Sequence, residues 1–316
     1  MIANLFEKTT YKAYLGSLIF SFFTVFFIQF CKNYPFFSFQ IILKAIVFWA
    51  IFVFFILMIT YLETRYAYSN YSSVHLLAFP LAFLFFPHGP GLVVSKIFLG
   101  LMLVYSKYVY GKVLFSENSA KNLFDLSFIF SLILIYNNSL AIFYLIPLGI
   151  LLQQKYRDMK HFTCLFLPVI FVPLFINATS IVIPGKFFDS FYLFMKLNLW
   201  DFTIESNSEF LWSIIIILSV YVTIFYKPKA YEQNSNPENI SGFNFMSFWL
   251  YASILIGILG LNVNDGRWFL SFIPNAYFIG VFLTKIRSRL IKNYLISFSL
   301  IAIIIFKLIE FKILHL

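Results

Sequence analysis

Apolar runs of roughly 17 to 25 residues, the length that carries a helix across about 30 Å of hydrocarbon, follow one another along the chain with short polar breaks between them. They predict membrane-crossing helices at residues 14–31, 41–62, 162–183, 210–226, 245–261, 268–284 and 293–311. Two regions break the rule. LLAFPLAFLFFPHGPGLVVSKIFLGLMLVYSK, from Leu76, holds two short runs split by Pro87, His88, Gly89, Pro90 and Gly91, a string that cannot continue a helix. LFDLSFIFSLILIYNNSLAIFYLIPLGILLQ, from Leu123, is about 30 residues long, or about 45 Å as a helix. That is too long for one upright span and too short for two full ones.

Charge placement resolves the second region, because cytoplasmic breaks carry an excess of Lys and Arg. Lys107, Lys112 and Lys121 precede it, while Lys155, Arg157 and Lys160 follow it. Both ends therefore lie inside, and the segment goes in and comes back, turning at Asn137, Asn138 and Ser139. The same reasoning turns the earlier pair at HGPG. With the N-terminus inside at Lys8 and Lys12, the remaining inner breaks hold Arg65, Lys227, Lys229 and the run Lys285, Arg287, Arg289, Lys292. The result is an all-α polytopic membrane protein of about 11 transmembrane helices, including two short broken hairpins, with a cytoplasmic N-terminus. MIANLFEKTTYKAY carries charge ahead of the first run and no small-residue cleavage site follows, so a retained span is expected rather than a removed signal peptide.

Composition agrees with this solvent. The chain is 61% hydrophobic and 11% charged, with a mean hydropathy of +0.87, which leaves too little polar surface for a water-soluble globule. A formal charge of +10 would suggest nucleic acid in a soluble domain. Here the cations sit in the breaks that encode topology, so no nucleic-acid partner is expected. Membrane lipids are the expected surroundings.

One membrane domain, 1–316, is the economical assignment. Within it, 184–209 reads as an outer loop, whose Phe187, Phe188, Phe191, Phe194 and Met195 form the apolar side of an interfacial helix or simply anchor a loop at headgroup level. The polar stretch 227–244, rich in Asn and Ser, reads as a flexible inner loop.

Candidate chemistry is sparse. Cys31 and Cys164 fall in apolar runs, where a thiol behaves as a small hydrophobe, and the four histidines lack ligand spacing, so neither a metal nor a cofactor is expected. Lys44 and Lys96 sit near span ends and can snorkel. Lys307 and Glu310 are one helical turn apart in the final span, where they can neutralise each other. The sharper feature is NDGRWFLSFIP, in which Asp265 and Arg267, on the outer face in this topology, top an apolar run with Pro274 in its middle. A guanidinium offers a bidentate fork to phosphate, and a neighbouring acid can orient it or act as a base. A helix cap by Asn264 or Asp265, with Arg267 and Trp268 at the interface, explains the same residues without a ligand.

The two apolar halves from Leu123 to Gln153, with the distant GRWFLSFIPNAYFIG, resemble the layout of the GT-C superfamily of polyprenyl-phosphate-dependent glycosyltransferases. MIANLFEKT, KNLFDLSFIFSLILIYNNSL and NDGRWFLSFIP more closely resemble an uncharacterised multi-pass inner-membrane family of Bacteroidetes. The GT-C likeness implies a lipid-linked sugar donor and a carboxylate in the first outer loop. That loop, KNYPFFSFQ, contains no acid, and the turn YNNS lacks the basic residue usual there.

Three functions are therefore open. A noncatalytic or degenerate GT-C-like subunit of a cell-envelope assembly, partnered by small membrane-protein subunits, is favoured by the missing acid. A transferase would bind polyprenyl phosphate, with Arg267 and Trp268 holding phosphate and Asp265, Asp189 or Asp201 as the catalytic carboxylate. A transporter would use the broken turns, with His88, Asn137 and Asn138 as its substrate ligands.

Overall fold

Backbone polar groups in hydrocarbon must be satisfied within their own segment, which leaves helix as the available structure for runs of this kind. The computed structural model describes residues 11–33, 38–65, 72–87, 94–115, 118–136, 138–152, 158–182, 207–232, 237–258, 268–311 and 313, and every regular element among them is helical. In chain order these are α1 (Tyr11–Asn33), α2 (Phe39–Arg65), α3 (Ser72–Phe85), α4 (Val94–Phe115), α5 (Ser119–Tyr136), a 3₁₀ segment (Asn138–Tyr144), α6 (Leu145–Leu151), α7 (Met159–Val182), α8 (Asn207–Glu232), α9 (Pro237–Ile258), a 3₁₀ turn (Phe269–Ser271), α10 (Phe272–Lys285) and α11 (Arg289–Glu310). Among the described residues, five stretches are long and apolar enough to cross a membrane: Tyr11–Asn33, Phe39–Leu62, Glu209–Tyr226, Ile240–Ile258 and Arg289–Glu310. Helices of this kind are compatible with an integral membrane protein.

The chain forms two compact units. The first comprises Met1–Leu101, Thr203–Ser235 and Trp268–Leu316. Its centre is α10, which is buried on every side from Phe272 to Val281, as a helix that is apolar all round requires. Gly100 lets α4 approach it: a Cβ there would lie 2.8 Å from Ile273 Cδ1 and 3.1 Å from Phe55 Cε2. Helix α3 carries Pro80 in its interior, which leaves the Leu76 carbonyl without its N–H partner. The Ser17 hydroxyl of α1 donates to that carbonyl at 2.8 Å, so the proline break becomes an interhelical contact. By contrast α11 buries only Ile296, Ile303 and Lys307. Its remaining surface is apolar and open, with Phe298 75% exposed, as expected of a helix facing lipid tails.

The second unit comprises Met102–Phe202 and Asn236–Arg267. Helix α5 stops at Tyr136, and the chain doubles back through the 3₁₀ segment. Tyr144 donates to the Ser127 carbonyl at 2.9 Å and also hydrogen-bonds the Ser131 hydroxyl. The Phe143 and Phe130 rings lie 6.1 Å apart, tilted by 41°. The hairpin expected from the lysine pattern is therefore present as geometry. Helix α7 carries Pro168 and Pro173 in its interior. The Leu165 carbonyl, one residue past the Cys164 carbonyl that Pro168 leaves unpaired, accepts from Ser127 Oγ at 2.5 Å, a contact between α5 and α7.

Two boundaries depart from the sequence expectation. The stretch 227–244 is helical to Glu232 and again from Pro237, so residues expected as a loop extend α8 and open α9. Pro274 is the third residue of α10, not the middle of a span. In a first turn its missing N–H is no loss, because that N–H would lack an intrahelical partner anyway.

Candidate functional site

The entry to α10 is the one place where the structure describes part of the NDGRWFLSFIP motif. After Trp268 the chain makes a 3₁₀ turn, with Ser271 N–H donating to the Trp268 carbonyl at 3.0 Å and Phe272 N–H donating to the Phe269 carbonyl. The Ser271 hydroxyl does not cap the helix. It donates to the Trp268 carbonyl at 2.7 Å and accepts from Trp212 Nε1 of α8 at 2.8 Å. With Pro274 supplying no N–H, the donors that a helix start could offer to an anion are largely used within the chain.

Aromatic rings fill the space around this turn. The Phe86 and Trp212 rings lie 4.9 Å apart, edge to face, and Phe86 meets Phe272 at 5.6 Å in the same manner. Trp212 stacks over Phe272 at 6.4 Å, and Phe79 closes on Phe272 at 6.1 Å. No family model, curated protein or solved structure matches the chain. Its chemistry is therefore argued from its own residues.

Of the residues that the sequence marks, Trp268 is buried, and its Nε1 has no partner among the described residues. Asp265, Arg267, Asp189, Asp201, His88 and Asn137 lie outside the described residues, as does the Asn138 side chain, although its backbone begins the 3₁₀ segment. The predicted interfacial helix within 184–209 falls mainly there too. Lys44 is exposed, as snorkelling requires, and Lys307 Nζ meets Glu310 Oε2 at 2.8 Å.

Three residues of the site are not among those the sequence marks as candidates: Trp212, Ser271 and Asn275. Asn275 is the least expected. It is 0% exposed on α10, and neither its amide nitrogen nor its amide oxygen has a partner among the described residues. Its signal in the sequence is a strongly polar side chain in an otherwise apolar run, directly after a proline. Burying an unpaired amide costs about 1–3 kcal/mol by the protein mutational scale. Asn275→Thr, close in volume and with a hydroxyl that can bond the helix carbonyl one turn back, is therefore expected to raise stability by about that amount, read as a higher thermal midpoint in detergent. An unchanged or lower midpoint would mean that the amide finds a partner in the working protein.

Proposed function

We propose that this protein is a noncatalytic, GT-C-like subunit of a cell-envelope assembly in the bacterial inner membrane, with about 11 crossings and a cytoplasmic N-terminus. The observation that supports the noncatalytic reading is the packing at the entry of α10 among the described residues, from Trp268 on. A transferase needs a receptive phosphate site there, next to Asp265 and Arg267 in the chain. Instead the Ser271 hydroxyl is held between Trp212 and the Trp268 carbonyl, and Phe86, Trp212 and Phe272 occupy the surrounding volume.

Alternating crossings draw support from which helix ends meet inside each unit. Ser17, early in α1, bonds Leu76, early in α3; both helices start inside in this topology. Trp49 Nε1 of the antiparallel α2 reaches Ser21 of α1 at 3.2 Å. In the second unit, Ser119 Oγ in the first turn of α5 lies 3.0 Å from His161 Nε2 in the first turn of α7, and both of these helices also run outward.

The test is complementation of a deletion strain by Asp265→Ala and Arg267→Ala. Both variants are expected to accumulate normally and to restore growth, and gently solubilised protein is expected to carry stoichiometric small membrane proteins. Loss of complementation at normal abundance, with polyprenyl phosphate bound to the purified protein, would instead make it a lipid-linked-sugar transferase. Sensitivity confined to His88, Asn137 and Asn138 would make it a transporter.

A further inference from the structure

Helix α10 ends at Lys285 and α11 begins at Arg289. Between them Ile286 and Ser288 are both extended, at φ −72°, ψ 109° and φ −77°, ψ 117°. Four of the eight residues from 285 to 292 are cations: Lys285, Arg287, Arg289 and Lys292. No carboxylate pairs with Lys285, Arg287 or Lys292 among the described residues, and the first turn of α11 contains no acid. The helix dipole adds to this excess, because its positive end lies at the same place. Cations at a helix start oppose the field of the helix, so an anion from outside the chain stabilises this end.

Helical spacing places two of the cations. Helix α11 touches α3 and α8 and buries Ile296, Ile303 and Lys307, a seam whose members are seven and four residues apart. Arg289 and Lys292 lie seven and four residues before Ile296, on the same stripe. Arg289 is nevertheless exposed and Lys292 partly so. The seam is thus closed along the middle of the helix and open at its start, where it is cationic. One turn on from Lys292 stands Leu295, and Ile291, Leu295 and Phe298, spaced by four and three, form an exposed apolar stripe beside the seam. Tyr294, 73% exposed, suits the headgroup level of a bilayer.

This pairing of charge and apolar surface decides the occupant. A free anion answers the cations and leaves the adjoining stripe uncovered, whereas a phospholipid answers both. A zwitterionic headgroup brings a cation of its own, which these four repel, so charge complementarity selects a headgroup of net negative charge.

We propose that the start of α11 is a headgroup site for an anionic phospholipid, with its phosphate at the open end of the seam against Arg287, Arg289 and Lys292 and an acyl chain along Ile291, Leu295 and Phe298. The inference requires α11 to cross a membrane. It holds whichever side the helix start faces, and whether or not the protein is catalytic.

Reconstitution in phosphatidylcholine containing a minor share of phosphatidylglycerol with a diazirine near its headgroup, followed by peptide mapping, tests this. In the wild-type protein cross-links are expected to be denser on 285–295 than on 302–309, the opposite end of the same helix. Each cation near an anionic surface contributes about fivefold in affinity, so Lys285→Gln, Arg287→Gln and Lys292→Gln together are expected to cut this labelling tenfold or more. Lys12→Gln, Lys121→Gln and Lys160→Gln, which remove the same charge from exposed positions elsewhere, are expected to leave it nearly unchanged. Should the first triple variant fail to accumulate, Arg287→Gln with Lys292→Gln serves the same comparison, and the wild-type map needs no variant. Labelling of 285–295 no denser than that of 302–309, or equal losses in the two triple variants, would overturn the proposal. Displacement of the lipid by inorganic phosphate, beyond that by chloride at equal ionic strength, would overturn it in favour of a free-anion site.

Discussion

Trp212→Ala is expected to destabilise the protein by about 3–5 kcal/mol, the range for truncating a large aromatic in a packed core. Trp212 is fully buried. Its ring lies within edge or stacking distance of both Phe86 and Phe272, and its Nε1 holds Ser271. Alanine therefore opens a cavity and also leaves the Ser271 hydroxyl short of a donor. Trp212→Phe is expected to cost less, since most of the volume remains and chiefly the hydrogen bond is lost, at about 0.5–1.5 kcal/mol plus a small packing term. Unfolding by denaturant titration in mixed micelles reads both values. A near-neutral Trp212→Ala would mean that the α10 entry is not the packed element described above.

Glu310→Gln is expected to be comparably severe. Lys307 is 2% exposed and Glu310 14%, and the ammonium also sits 5.9 Å from the Phe311 ring. Removing the carboxylate leaves a buried cation without its partner, which costs about 3–5 kcal/mol where burial is deep. Replacing the cation as well removes that penalty. The double variant Lys307→Met with Glu310→Gln is thus expected to recover most of the loss. If the single and double variants unfold at the same denaturant concentration, the pair is solvated in the working protein and the final helix sits less deeply than its burial implies.

The reach of the sequence can be judged from particular elements. Long apolar helices such as α1, α2 and α11 were legible because continuous hydrophobicity over a span length has few other physical outcomes. The doubled-back segment after Tyr136 was legible from lysines at both ends of a run of the wrong length. The start of α9 was not, because Pro237, Glu238 and Asn239 read as loop by composition, yet proline is favoured in a first helical turn and the apolar residues that follow carry the helix on. Pro274 misled for the related reason that a proline within an apolar run looks like a break until its distance from the helix start is known.

The site shows the same limit. Trp268 drew attention through its neighbours Asp265 and Arg267, but what packs on the helix start that follows it comes from Phe79, Phe86 and Trp212, far away in sequence. No spacing rule links Phe86, Trp212 and Ser271; only tertiary packing does. Asn275 was visible as a polar residue in an apolar run, but its lack of partners can be seen only in three dimensions. The serines that answer Pro80 and flank Pro168, Ser17 and Ser127, likewise look like unremarkable small residues until their acceptors are known.

The most direct measurement is the sidedness of the cationic breaks. Paired reporters, one active only in the cytoplasm and one only outside it, fused in turn after Arg157, Gly185, Asn264 and Arg289, read four breaks at once. Arg157 and Arg289 are expected to report cytoplasmic, with Gly185 and Asn264 reporting extracytoplasmic. A reporter active outside after Arg157 or Arg289 would contradict the alternating topology, and with it the assignment of Asp265 and Arg267 to the outer surface.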